Sequence, residues 1–290
     1  MTACVLTFDI EDWFQVENLR PLFPPERWEE IPRRVGDSTR SILRLLAEHG
    51  VHATFFILGW VADREPDLVR EIAAQGHEVA CHGYGHILPL RLTPSQFRED
   101  VLRARAALER LAAAPVVGYR APSFSLDRER LEILAECGFR YDSSHHPFRL
   151  HDRYGNLGDL GAPVVPGVWR VDGRIAELGL PVERFGPFSL PVSGGGYFRL
   201  YPGPLYRGLT RRALRRDGHY LMYLHSWEFD PGQPRVTGAG FTSSFRHYNN
   251  LSHTMPRMRA LMAMLQGLSA RWMTAREYLE EVGVAGRPAP

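Results

Sequence analysis

Four short segments carry side chains that could do chemistry together: TFDIED at 7–12, HGYGH at 82–86, YRAP at 119–122 and LHSWEF at 224–229. His82 and His86 stand four apart, and the glycines between them argue against a helix. A turn at a strand end can aim both imidazoles at one ion. Asp9, Glu11 and Asp12 close an apolar run, and three carboxylates so placed need a positive charge nearby. On extended backbone Asp9 and Glu11 point the same way, so one could be a metal ligand and the other a base. Asp12 replaces Glu11 if the chain turns early. Arg120 precedes Ala-Pro, which stiffens the backbone there. Its guanidinium can hold a carboxylate by two hydrogen bonds. His225 ends another apolar run and is suited to act as an acid. Two neutral histidines, one carboxylate and open positions for water make a catalytic rather than a structural metal site. The inventory is that of a metal-dependent hydrolase of an amide or ester bond.

The elements that must position these residues alternate between short apolar runs and helical patterns. Strands are expected at Ala3–Phe8, His52–Leu58, Glu78–Cys81, Val116–Tyr119, Phe139–Tyr141, Tyr220–Leu224 and Trp272–Thr274. Helices are expected at Asp37–His49, Pro66–Gln75, Asp127–Cys137, Pro256–Leu268 and Ala275–Val282, with glycines closing the first three. The helix from Pro94 to about Ala112 has the best start, because Thr93 can cap it and Gln96 completes a capping box. From about 145 to 205 the chain is rich in Gly, Pro and aromatics, and reads as short strands and loops inserted between barrel elements. This βα alternation predicts an α/β fold with a parallel sheet, as a barrel or a doubly wound sheet. Asp9, His82, Arg120, Asp142 and His225 all follow strands, and carboxyl ends of strands are where such folds build sites.

The 290 residues are 44% hydrophobic and 23% charged, with a formal net charge of +2. That is ordinary for a globular protein and argues for neither nucleic acid nor an acidic membrane surface as partner. Three widely spaced cysteines suggest buried free thiols rather than disulfides or a CxxC metal site. The N-terminus has no signal-peptide pattern and no run is long enough to span a membrane, so a cytoplasmic location is expected. Oligomeric state is left open.

In this order, the motifs resemble those of the NodB-type polysaccharide deacetylases, carbohydrate esterase family four. TFDIED, HGYGH, RAP, YDSS and LH match that family's acidic, HxxxH, RxP, later Asp and Leu-His motifs, and ATFFILGW and GHEVACHG read like their surroundings. The segments FDIEDWF, HDRYG, GGGYFRLYP, LHSWEFDPGQPR and RHYNNLSHTMPRM are similar to the subgroup associated with exopolysaccharide (exosortase/PEP-CTERM) loci.

The resemblance implies a distorted (β/α) barrel of about seven strands, with extra loops and short strands in the C-terminal half. It implies one deacetylase domain over 1–290, with subgroup-specific insertions and an extension in 145–290. Most members carry two adjacent aspartates, the first a base and the second a metal ligand. Here Ile10 takes the second place, so the base role passes to Asp9 and the metal role to Glu11, with Asp12 as its alternative. His82 and His86 complete the ligand set of a divalent ion, with Zn²⁺ the first choice. Arg120 orients the base and His225 is the acid. Leu224, Pro122 and Asp142 are expected at the substrate, and Asp142 also to hold His225. Trp227 and Tyr154, with Trp13 and Tyr197, are candidate sugar platforms by position. The implied reaction is N-deacetylation of an N-acetylated glycan or glycan precursor. The alternatives are hydrolysis of a small cyclic or linear amide, as in allantoinase-like relatives, and a non-catalytic sugar-binding relative.

Overall fold

A computed structural model describes residues 2–146, 154–185 and 188–284. In chain order the main elements are β1 (Ala3–Ile10), α1 (Val35–His49), β2 (Thr54–Ile57), α2 (Gly59–Arg64), α3 (Pro66–Ala74), β3 (Glu78–Cys81), α4 (Pro94–Ala112), β4 (Gly118–Tyr119), α5 (Arg128–Glu136) and β5 (Tyr141–Asp142). There follow β6 (Val168–Val171), β7 (Ile175–Leu178), β8 (Val182–Phe185), β9 (Phe188–Pro191), α6 (Gly195–Leu200), α7 (Gly203–Asp217), β10 (His219–His225), α8 (Phe241–Tyr248), α9 (Thr254–Gly267), β11 (Arg271–Met273) and α10 (Ala275–Glu281).

The main sheet runs β10-β1-β2-β3-β4-β5-β7-β6 and, among the described residues, does not close on itself. Its first seven strands pair in parallel. β6 joins antiparallel at the edge. β10 covers one edge of β1 along most of its length, from Ala3 to Asp9. The other edge is shared end to end: β11 pairs Ala3–Val5 and β2 pairs Thr7–Ile10. The result is an α/β fold on an open, barrel-like sheet, with the extra short strands in the C-terminal half.

Strand alternation divides the side chains of β1 between two cores. Leu6, Phe8 and Ile10 pack with the helices in the larger one. Ala3 and Val5 line a smaller inner core with Phe56, Tyr141 and Leu221, closed from below by Tyr278 and Leu279 of α10. Thr7 and Asp9 continue that inner face toward the carboxyl end. Cys4, Cys81 and Cys137 are buried free thiols.

Local signals explain most elements. Thr93 and Gln96 form the expected capping box, with Thr93 Oγ1 accepting from Gln96 N and Gln96 Oε1 accepting from Thr93 N. Four helices, α2, α6, α7 and α8, have no counterpart in the sequence reading. α6 lies in the stretch read as strands and loops, and it opens on two glycines, which are poor helix formers. A Cβ at Gly195 would lie 1.8 Å from a carboxylate oxygen of Glu228, so the close approach of another segment selects the residue there. α7 begins at the end of that stretch. It is held by the packing of Tyr206, Leu209, Ala213 and Leu214 on the core rather than by capping side chains.

Candidate active site

Strand register brings the motifs together before any side chain is considered. Asp9 and His225 are direct partners on neighbouring parallel strands. Cys81 and Tyr119 are also paired, so His82 and Arg120 leave the sheet side by side. HGYGH turns immediately after β3, and Gly83 adopts a left-handed φ of 75° there. The turn is pinned by the start of α2, where Gly59 N donates to Gly83 O and Trp60 N to Tyr84 O, each at 2.9 Å. Arg20 Nη1 fixes the far end by donating to His86 O at 2.9 Å.

Glu11, His82 and His86 converge, with one ligand atom from each lying within 4.8 Å of the others. All three are buried. Glu11 Oε2 lies 2.7 Å from His86 Nε2. Glu11 Oε2 and His86 Nδ1 are buried without a hydrogen-bond partner. His82 Nδ1 is 2.8 Å from Arg120 O, which leaves the opposite ring nitrogen for a ligand role and fixes the ring as metal-binding histidines require. Burial lowers the His82 pKa to about 4, so its ring is neutral at physiological pH. Burial pushes Glu11 up, but His86, His225 and His82 together hold it below the usual carboxylate range. Two imidazoles and a carboxylate, with one ligand atom from each drawn together in a buried site, fit a divalent cation.

Beside this group lies Asp9, buried and paired with Arg120. Arg120 Nη1 donates to Asp9 Oδ1 at 2.8 Å and to Thr7 Oγ1 at 2.9 Å. Its remaining donors reach Ser143 O and Ser143 Oγ, and its guanidinium lies 4.1 Å from the Phe56 ring centroid. Every side of the arginine is engaged, so it is a fixed cation that leaves Asp9 Oδ2 directed at the site.

Facing Asp9, His225 Nε2 is 3.9 Å from Asp9 Oδ2 and 3.7 Å from Glu11 Oε1. Its other nitrogen lies 3.2 Å from Glu228 Oε2. Burial alone would depress His225, but Glu228, Glu11 and Asp9 raise its pKa to about 9. It therefore holds a proton at neutral pH, the state an acid needs.

Glu228 is the functional residue that sequence reasoning missed. Arg199 Nε donates to Glu228 Oε1 at 2.9 Å. Burial raises Glu228, yet Arg199 and His225 bring it down to about 2. The only sequence signal was its place three residues after His225, where a tight turn returns its side chain to the His225 N–H and ring. Trp227 lies between His225 and His247, with ring centroids 5.2 and 4.3 Å away.

Several expectations change. Asp12 is not near the histidines: its carboxylate accepts from the backbone N–H groups of Trp13, Arg34 and Val35, capping the start of α1. Asp142 does not hold His225, because Glu228 does. It is fully buried and accepts from Ser144 N and Oγ beside Glu177. Ser144 Oγ in turn accepts from Ala121 N, so Asp142 supports the loop carrying Arg120 rather than meeting substrate. Leu224 points away from Tyr223 and His225 and is fully buried in the same core as Phe8. Pro122 is buried in the turn after Arg120. Trp13 is a core residue packed on Phe14 and Phe23. Trp227 is mostly buried, and its Nε1 donates to Glu11 Oε1 at 3.1 Å, so it orients the carboxylate as well as facing the cleft. Tyr154 and Tyr197 do line a cavity next to His225. His151–Arg153 of the HDRYG segment lie outside the described residues.

A model of the family "Polysaccharide deacetylase" matches residues 4–141. Those residues make up just under half of the chain, and over them it resembles the polysaccharide deacetylase family. Residues 143–280 match a second model, "Domain of unknown function (DUF3473)". The family portion supplies Asp9, Glu11, His82, His86 and Arg120, and the second portion supplies His225 and Glu228. The two share one sheet through the β1–β10 pairing. The chain is 30% identical over 120 residues to a peptidoglycan deacetylase of Helicobacter pylori, covering 41% of this chain and 40% of that one. It is 32% identical over 101 residues to a peptidoglycan-N-acetylglucosamine deacetylase of Bacillus cereus, covering 35% and 37%. These matches span well under half of either relative. The crystal structure of a polysaccharide deacetylase from Mycobacterium smegmatis superposes with a TM-score of 0.62 at 22% identity, covering 100% of this chain and 94% of that one. That likeness supports the same distorted-barrel fold.

Proposed function

We propose that the protein is a metal-dependent N-deacetylase that hydrolyses the acetamide group of N-acetylated sugars in a polysaccharide or its precursor. The observation that carries this reading is the opposition of two charge-paired groups. Asp9 with Arg120 stands on one side of the Glu11, His82 and His86 donors, and His225 with Glu228 on the other. A divalent cation held by Glu11, His82 and His86, with Zn²⁺ the first choice, would supply Lewis acidity, lowering the pKa of water and polarising the acetyl carbonyl.

The protein's own groups move the protons. Asp9 Oδ2, the oxygen not engaged by Arg120, takes a proton from the attacking water. Arg120 keeps that carboxylate aimed. His225 Nε2 gives its proton to the nitrogen as the C–N bond breaks, releasing acetate and a free amine. Glu228 keeps His225 oriented and charged for that step.

The family match over residues 4–141 and the named activities of the similar peptidoglycan deacetylases support an N-acetylated sugar as substrate. The C-terminal motifs favour a role in exopolysaccharide synthesis. Acetate release from N-acetylated oligosaccharides, measured with and without chelator, tests the reading. Activity should vanish with chelator and return with Zn²⁺. His82→Ala should retain neither metal nor activity, and a fully active metal-free His82→Ala protein would overturn the scheme. Ring-opened product from cyclic amides, with no acetate from sugars, would favour the small-amide alternative.

A further inference from the structure

Two segments singled out in the sequence, LHSWEFDPGQPR and RHYNNLSHTMPRM, place side chains behind the Glu11, His82 and His86 donors as well as beside them. Consecutive residues of the first hold Glu11 at three points. Ser226 Oγ donates to Glu11 O at 2.7 Å and accepts from Glu11 N at 3.3 Å. Trp227 Nε1 donates to Glu11 Oε1 at 3.1 Å. The backbone bonds fix where the side chain starts, and the indole fixes where it ends. A free glutamate side chain has much rotamer freedom to lose. Holding Oε1 keeps Oε2 turned toward His86 Nε2, 2.7 Å away.

Trp227 can do this only if its own ring is held. Of the two imidazoles that flank it, His247 is the nearer and is almost parallel to the indole, 4.3 Å away at 11°. His247 is buried and fixed in turn by Gln233. Gln233 Nε2 donates to Trp227 O at 2.8 Å and to Asp230 O at 3.0 Å. Its Oε1 is therefore the atom that accepts from His247 Nε2, at 2.6 Å. Arg199 anchors the backbone of the same segment by donating to His247 O and Arg246 O. A buried chain of contacts thus runs from Gln233 through His247 and Trp227 to Glu11. His247 is not among the three grouped donors, so it acts on them from behind. Gln233, His247 and Trp227 all lie outside the family-matched residues 4–141.

We propose that His247 and Gln233 are positioning residues for the metal carboxylate: they lock the Trp227 indole, and through it Glu11 Oε1, in the orientation a divalent cation needs. The inference rests on the reading of Glu11, His82 and His86 as the metal donors. Zinc affinity of the metal-free protein, measured by competition with a chromophoric chelator, tests it without turnover. Trp227→Phe keeps a ring between the two imidazoles and removes the N–H. His247→Ala removes the platform, and Gln233→Leu removes its anchor at similar volume. Each should bind zinc about 10–100-fold more weakly than the parent, the usual loss when an outer partner of a metal ligand is removed. Parent-like affinity in Trp227→Phe overturns the proposal, and so does parent-like affinity in both His247→Ala and Gln233→Leu. Melting of the metal-free variants separates positioning from packing. A lowered melting temperature with unchanged zinc affinity marks ordinary core packing and also overturns it. If His247→Ala does not fold, Trp227→Phe and Gln233→Leu decide. Absence of zinc binding by the parent removes the metal reading and this inference with it. Tight binding by parent and variants alike removes this inference alone.

Discussion

Neighbouring acids in one motif have opposite jobs, and geometry tells them apart. Glu11 points at two imidazoles, whereas Asp12 points at three backbone N–H groups. Glu11→Gln should abolish zinc retention with little loss of stability. Asp12→Ala should keep the metal and lower unfolding stability by about 0.5–2 kcal/mol, the range for a helix cap replaced by alanine. Metal analysis beside urea denaturation checks both, and loss of zinc from Asp12→Ala would contradict the assignment. In the proposed reaction Glu228 positions His225, which it contacts at 3.2 Å. Glu228→Gln should cut turnover on an N-acetyl sugar about 100-fold, the low end of what general acid–base catalysis contributes. It should affect an aryl acetate far less, because a phenolate leaves without needing a proton. Equal losses on both substrates would point to a merely structural role.

The elements that present these residues are short and owe their shape to one another. α6 begins on Gly195 because Glu228 fills the space a side chain would need there. Gly195→Ala should therefore displace Glu228 and lower turnover while leaving zinc content unchanged, since Glu11, His82 and His86 stand on other elements. Normal kinetics in Gly195→Ala would show that Glu228 can move aside freely. α4, by contrast, is specified locally. Its capping box sits remote from the catalytic residues, and the helix presents Phe97, Val101 and Leu108 to the core.

Across the whole molecule, several buried histidines make folding sensitive to acid. Burial, with the nearby charge of His52, lowers His77 to about 4. Burial and Arg199 lower His247 to about 3. An unfolded histidine titrates near 6.5, so below that pH the unfolded chain binds protons that the folded one refuses. The stability these residues contribute is complete above about pH 6.5 and is lost as pH falls toward 4 and then 3, at about 1 kcal/mol per pH unit for each. Because the buried Asp12 and Asp142 carboxyls, raised to about 6, act in the opposite sense, the contribution is read as a difference: between pH 7 and 5 the urea midpoint of His77→Gln should fall less, or rise more, than that of the parent protein. Parallel pH profiles for the two proteins would show that the His77 ring is not held neutral.

What could be read from the chain alone followed from period, punctuation and motif order. The apolar run before Asp9, the capping box at Thr93 and the turn residues in HGYGH announce their structures locally, because each depends on residues within a few positions. That placed Asp9, His82, Arg120 and His225 at strand ends and gave the α/β class. Tertiary structure decided the rest. Whether Glu11 or Asp12 meets the histidines depends on where α1 begins, and Asp142 yields its expected partner to Glu228 because only the folded sheet sets the distances. Side-chain partnership is a property of three-dimensional approach. The 215 positions separating Glu11 from Ser226, whose hydroxyl donates to the Glu11 carbonyl oxygen at 2.7 Å, leave no trace in either local pattern.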